Sequence, residues 1–181
     1  GTMWECPDFF ELGDRHVLLV SALGKNLYFS GTYSDHEFRP EVKGLIDFGS
    51  SFYAGKTMLA PDRRRILWGW LREERSREAQ MEAGWSGAMS LPLVLSMRTD
   101  GTLGIEPAAE LTALRAEHAG HRDLVVSPTA DLVLEDVVGD CLEIVAEVAV
   151  RPGAEFGIKV RRSLEGCLLY TSDAADDMQC V

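Results

Sequence analysis

Glu5 lies in Trp4-Glu5-Cys6-Pro7-Asp8-Phe9-Phe10, a carboxyl set between an indole and a thiol and followed by a proline that fixes the backbone. Burial against Trp4 and Cys6 is expected to penalise the charged form and raise the pKa of Glu5, which is what a general acid near neutral pH requires. The plain alternative is a strand-end glutamate that happens to neighbour a tryptophan. Two later stretches carry further aromatic and polar groups. One is Asp47-Phe48-Gly49-Ser50-Ser51-Phe52-Tyr53-Ala54, running on through Lys56-Thr57. The other is Arg64-Arg65-Ile66-Leu67-Trp68-Gly69-Trp70-Leu71, followed by Gly84-Trp85-Ser86-Gly87-Ala88-Met89-Ser90-Leu91-Pro92. For Tyr53 and Trp70 the competing assignment is core packing, since aromatic side chains bury well in either role.

The elements that must position these groups read as strands. Residues 9–12 form a short apolar run closed by the turn Gly13-Asp14. Residues 16–22 and 27–33 are β-rich and separated by Gly24-Lys25-Asn26, a hairpin signal. His16 on the first of them is expected to be structural. Residues 34–44 are polar, contain Pro40 and are expected to be a loop. Residues 52–59 and 65–71 predict a second hairpin across Ala60-Pro61-Asp62-Arg63. Residues 89–97 and 102–105 predict a third across Thr99-Asp100-Gly101, whose residues suit a tight turn. The charged stretch 73–84 is expected to be a solvated loop. Repeated hairpins without long helices between them point to an all-β architecture.

Residues 106–118 predict one connecting helix, with Ala108, Leu111 and Leu114 on one face and Gly120 as its stop. From Cys141 onward Leu142, Ile144, Ala146, Val148 and Val150 alternate with Glu143 and Glu147. Phe156, Ile158 and Val160 alternate with Gly157, Lys159 and Arg161. Such alternation predicts two half-buried strands with one wet face, as in a sandwich.

With 181 residues and 46% apolar composition the chain can bury a core. A net charge of −11 argues against nucleic acid as partner, because binding to polyanions draws on clustered Lys and Arg. The one basic cluster, Arg63-Arg64-Arg65, falls in a turn and reads as solvated surface. No run approaches the length of a membrane span, so no membrane partner is expected. Four cysteines, Cys6, Cys141, Cys167 and Cys180, show neither metal-ligand spacing nor a disulfide framework.

Taken in order and spacing, the Trp-Glu-Cys-Pro, Phe-Tyr-Ala and Trp-Gly-Trp stretches resemble glycoside hydrolase family 32, the invertases, levanases and inulinases that cleave β-fructofuranosides. The resemblance spans residues 4 to about 165. It implies a partial five-bladed β-propeller over residues 1–95, representing its last blades, and a linker with the first strands of a β-sandwich over residues 96–166. Residues 167–181 have no place in the family. They resemble a translated sequencing adapter and are expected to be foreign to the fold.

By the same resemblance Glu5 is the acid/base of a retaining glycosidase, Cys6 lines the fructose pocket, Tyr53 places its hydroxyl near the acid, and Trp70 forms part of the apolar wall. Sucrose or a fructan is the implied partner, and no metal or organic cofactor is implied. The family's two catalytic aspartates belong to Asn-Asp-Pro and Arg-Asp-Pro motifs, and neither tripeptide occurs in this chain. Asp47 is expected to be a turn residue and Asp8 a support behind the site. The chain is therefore expected to be a C-terminal fragment, inactive by itself, of a β-fructosidase. The alternative is a sugar-binding module that holds fructan without cleaving it.

Overall fold

The computed structural model describes residues 3–139 and 141–160, so the stretch expected to be foreign lies outside the described residues. The chain divides into two compact units, one running to Ala109 and the other starting at Glu110. The first unit opens with four antiparallel strands, β1 (Glu5–Leu12), β2 (Arg15–Ala22), β3 (Lys25–Ser34) and β4 (Glu37–Leu45), in the order β1-β2-β3-β4. A second sheet follows from β5 (Phe52–Leu59), β6 (Arg65–Leu71), β8 (Leu93–Met97) and β9 (Leu103–Pro107), with the short β7 (Ala88–Met89) paired to β6.

Tight turns fix the register of the first sheet. Leu23 and Gly24 (φ 52° and 75°) join β2 to β3, and Asp35 and His36 (φ 51° and 63°) join β3 to β4. Two consecutive left-handed residues follow the natural twist of a hairpin. Leu23 fits such a turn poorly, but its side chain projects into solvent.

The sheets meet through alternate side chains. Phe10, Val17, Leu19 and Tyr28 from the first sheet pack with Phe52, Leu67, Leu95 and Leu103 from the second. Complete burial of each such side chain stabilises by roughly 1.5–3 kcal/mol. Two polar ties cross the same core: Ser30 Oγ donates to the Gly101 carbonyl at 2.5 Å, and the Tyr28 hydroxyl accepts from Leu103 N at 3.4 Å. Gly69 is part of this fit, because a Cβ at that position would stand 2.2 Å from the Phe52 ring. Gly69→Ala is therefore expected to destabilise the unit by about 1–3 kcal/mol, as overpacking of a rigid core does. A chemical denaturation midpoint unchanged by the substitution would contradict this.

The second hairpin has the predicted bounds. Elsewhere the structure corrects the expectations. Residues 37–45 form strand β4 rather than a loop. β4 is an edge strand, and Pro40 sits where its register against β3 shifts, so the missing N–H breaks no essential ladder bond. The charged stretch expected to be a loop contains α1 (Arg77–Ala83), capped by Ser76, whose side chain accepts from Ala79 N, and closed by Gly84 in the left-handed region. The third hairpin is interrupted between β7 and β8 at Ser90-Leu91-Pro92. The helix expected over residues 106–118 is a 3-10 stretch, Ala109–Leu114. Glu106 and Pro107 are taken up by β9 and Ala108 is buried directly after it, while none of the residues of the 3-10 stretch is buried, so the rest of the stripe, Leu111 and Leu114, has no core to cover.

In the second unit, residues 141–150 and 154–160 carry no strand. Alternation supplies a face to bury, but a strand also needs a ladder partner, and Leu142, Ile144, Val148 and Val150 remain exposed. Ion pairs among the described residues of this unit include Arg115 with Glu143 at 2.5 Å and Lys159 with Asp131 at 2.9 Å.

Candidate active site

Two bulges, one in each sheet of the first unit, bring the chemical groups together. In β1 the paired residues Glu5↔Ser21 and Asp8↔Leu19 leave Cys6 and Pro7 opposite the single residue Val20. In β5 the pairs Tyr53↔Trp70 and Lys56↔Trp68 leave Ala54 and Gly55 opposite Gly69. Each bulge contains a non-glycine residue in the left-handed region, Cys6 at φ 48° and Ala54 at φ 52°. That conformation costs an L-residue roughly 1–2 kcal/mol, and such strain is concentrated where a side chain must be re-aimed.

The result is a direct hydrogen bond from the Tyr53 hydroxyl to Glu5 Oε2. Donation to the carboxylate holds the phenolic proton and pushes Tyr53 above its ordinary 10.0; burial and the negative charge of Glu5 add to this, and the nearby Arg72 opposes it. The Arg72 guanidinium lies over the Tyr53 ring, 4.9 Å from its centroid, and donates to the Ser50 carbonyl. Glu5 Oε1 accepts no bond from the described residues, which leaves it open to a ligand. Trp70, directly opposite Tyr53, is 47% exposed, and its indole nitrogen lies so close to Gly87 that a Cβ there would be 2.6 Å away.

Glu5 itself is exposed, contrary to the expectation of burial against Trp4 and Cys6. Trp4 turns away to stack on Phe29, with ring centroids 5.3 Å apart. The bulge at Cys6 and Pro7 sets neighbouring side chains apart, so sequence adjacency gives no shared pocket. Cys6 is likewise exposed and free.

Asp8 works behind the site. Its Oδ2 accepts from Thr57 N at 2.7 Å and Thr57 Oγ1 at 2.8 Å, while Lys56 Nζ donates to the Pro7 carbonyl at 2.5 Å. These bonds tie the two bulges to each other. Arg72, Lys56 and Thr57 were not identified as site residues from sequence; the Lys56-Thr57 continuation of the tyrosine stretch was the available signal. Of the basic cluster, Arg64 pairs with Asp62 at 2.6 Å and Arg65 lies over the Phe10 ring, 4.6 Å from its centroid.

A loop beside Trp70 is folded around Glu73. Its carboxylate accepts from Arg75 Nη2 at 2.7 Å, Arg75 Nε at 2.9 Å and Gly87 N at 3.0 Å. These bonds, led by the Arg75 side chain, hold Glu73 far below its ordinary 4.5. A folded-state value below the unfolded one gives a stabilising contribution that is present above about 4.5 and lost as pH falls. Arg75 also caps the Trp85 ring at 3.9 Å. Acidification well below 4.5, toward the depressed pKa of Glu73, is therefore expected to loosen the loop and change Trp85 emission, measured as the difference from a Trp85→Phe chain. Glu73→Gln should show the altered emission already at neutral pH. A flat acid profile in the unsubstituted chain would contradict this.

Among the described residues no cluster of three or more His, Cys, Asp or Glu could hold a metal ion. Residues 1–107 match the family model of the glycosyl hydrolases family 32 N-terminal domain. The chain is 35% identical over 126 residues to a sucrose-6-phosphate hydrolase of Zymomonas mobilis, covering 62% of this chain and 24% of that protein. It is 32% identical over 187 residues to a levanase of Bacillus subtilis, covering 89% of this chain and 28% of the levanase. Among solved structures it is similar to fructan 1-exohydrolase IIa from Cichorium intybus, with a TM-score of 0.58 and 31% identity over 63% of this chain and 26% of that one. The chain thus spans about a quarter of the length of these relatives.

Proposed function

Because the chain belongs to glycosyl hydrolases family 32, we propose that it is part of a β-fructofuranosidase that hydrolyses sucrose or a fructan by a retaining double displacement, with Glu5 as acid/base. The family's N-terminal domain is a five-bladed β-propeller, and the two sheets of the first unit are blades of it. The observation that carries the functional reading is the bond from Tyr53 to Glu5, made between two blades at paired bulges. The similarity to a levanase and to a fructan 1-exohydrolase supports sucrose or a fructan as the substrate class.

In this reading Glu5 Oε1 protonates the glycosidic oxygen as an aspartate attacks the anomeric carbon of the fructosyl unit. Glu5 then removes a proton from the water that frees the sugar. Tyr53 holds the carboxyl in place through Oε2, Cys6 lines the fructose pocket beside it, and Trp70 offers an apolar wall. The nucleophile and the aspartate that stabilises the transition state lie in motifs that this sequence does not contain. Residues 96–166 were expected to form a linker and the first strands of a β-sandwich; because β9 pairs into the second sheet, we assign only the chain after Pro107 to them, a reading supported by the alternation over residues 142–150. The test is fructose release. A chain completed by the segments bearing both aspartates should hydrolyse sucrose or a fructan, whereas binding without release would identify a sugar-binding module.

A further inference from the structure

We propose that Ser21 and Asn26 are positioning residues that hold Tyr53 and Glu5 in mutual register, an inference that rests on the acid/base reading above. Both side chains are polar yet almost fully buried, at 1% and 4% exposure. Buried polar groups are costly unless every donor and acceptor is matched, so a core needs a reason to keep them.

The reason lies in the β5 bulge. Ala54 and Gly55 have no opposing pair in β6, so their N–H groups need other acceptors. Ser21 Oγ accepts from Ala54 N at 3.1 Å, and Asn26 Oδ1 accepts from Gly55 N at 3.3 Å. Asn26 Nδ2 donates to the Phe52 carbonyl at 2.6 Å, and the Ser21 hydroxyl donates to Asn26 Oδ1 at 2.8 Å. The two side chains thus bind the backbone on both sides of Tyr53. Each bond fixes the direction of the next, which leaves the amide one orientation.

Placement in the first sheet completes the argument. Ser21 is the register partner of both Glu5 and Asn26, so Glu5, Ser21 and Asn26 form one row across β1, β2 and β3. The acid is fixed to this row through the ladder, and Tyr53 is fixed to the same row through the network. Apolar residues in place of the pair would leave the bulge N–H groups orphaned and free the Tyr53 backbone to move.

The test reads the Tyr53 phenol in the 181-residue chain by ultraviolet titration, as the difference between each protein and its Tyr53→Phe counterpart. The charged groups acting on this phenol are Glu5, Cys6 and Arg72, and none of them is altered by the substitutions. In the unsubstituted chain Tyr53 should titrate above 10.0, and Ser21→Ala and Asn26→Ala should bring it down toward that value. Ser21→Thr, which keeps the hydroxyl, should restore the unsubstituted titration. Folded alanine variants with an unmoved Tyr53 titration would overturn the proposal. Loss of the folded circular-dichroism signal in both would also overturn it, in favour of a general stabilising role. The titration needs no turnover, so it stands apart from the acid/base reading, which fails separately if Glu5→Ala slows all leaving groups equally.

Discussion

Glu5→Ala, in a chain completed by the aspartate-bearing segments, is expected to lower turnover on sucrose by roughly 10²–10⁴-fold, the usual contribution of a positioned general acid. The loss should depend on the leaving group. The sugar alkoxide expelled from sucrose needs a proton as the bond breaks, whereas an activated aryl leaving group departs with little help. The same variant should therefore lose much less on an aryl β-fructoside in the first step. An external nucleophile such as azide should restore part of the second step, because a small anion can enter the space vacated by the carboxylate and attack without general base. Equal losses on both substrates would remove Glu5 from the acid/base role. Tyr53→Phe gives an internal comparison: it removes the donor to Oε2 and leaves Oε1 in place, so its effect should be smaller than that of Glu5→Ala and run in the same direction.

The 181-residue chain by itself should release no fructose from sucrose. A retaining glycosidase works through two carboxyl groups about 5 Å apart, and in the proposed mechanism Glu5 alone would offer a proton without a nucleophile to capture the sugar cation. Asp8, the acidic residue closest in sequence, is committed to Thr57 through one oxygen and braces the strands. Fructose measured by a coupled assay should stay at the level of a buffer control, and addition of the segments carrying both aspartates should raise it. Release by the purified chain alone would implicate Asp8 or Asp47 as nucleophile and would require a different mechanism.

Strand positions were legible wherever alternation and turn chemistry agreed, as in the hairpin of β5 and β6. They were illegible where a second consideration ruled. Pro40 suggested a loop because the edge position that tolerates a proline is a property of the sheet, not of the local sequence. Ser76 and Gly84 bracket α1, but the seven residues between them include three charged ones, Arg77, Glu78 and Glu82, and show no buried apolar stripe. Residues 106–118 carried a helical stripe, but β9 claimed Glu106 and Pro107 just ahead of its first member, Ala108.

The site divided in a similar way. Glu5 stood out by its immediate neighbours, and Cys6, Tyr53 and Trp70 through the family resemblance of the stretches that carry them. Arg72, Ser21 and Asn26 did not, because the backbone groups they bond belong to residues up to 48 positions away: turn and loop carbonyls for Arg72, and for Ser21 and Asn26 N–H groups that the β5 bulge leaves unpaired. The environment of Glu5 was misjudged for the same reason. An indole one residue away in sequence says nothing about the surroundings once the backbone between them and the next strand pair is bent.

The paired bulges also bear on how the chain reaches its final state. Glu5 and Tyr53 are 48 residues apart, and Ser30 and Gly101 are 71 apart, so no hairpin forming alone can make either contact. The chain must close these long loops, at an entropic cost that grows slowly with length, before any of the bonds between sheets returns free energy. Until the sheets dock, Ala54 and Gly55 can turn their N–H groups to water, and nothing compels Ala54 into the left-handed region. The reactive geometry is thus a product of docking and has no precursor in either hairpin. Its appearance marks the moment when two separately formed sheets become one body, and whatever loosens their contact removes the site before it unravels a strand.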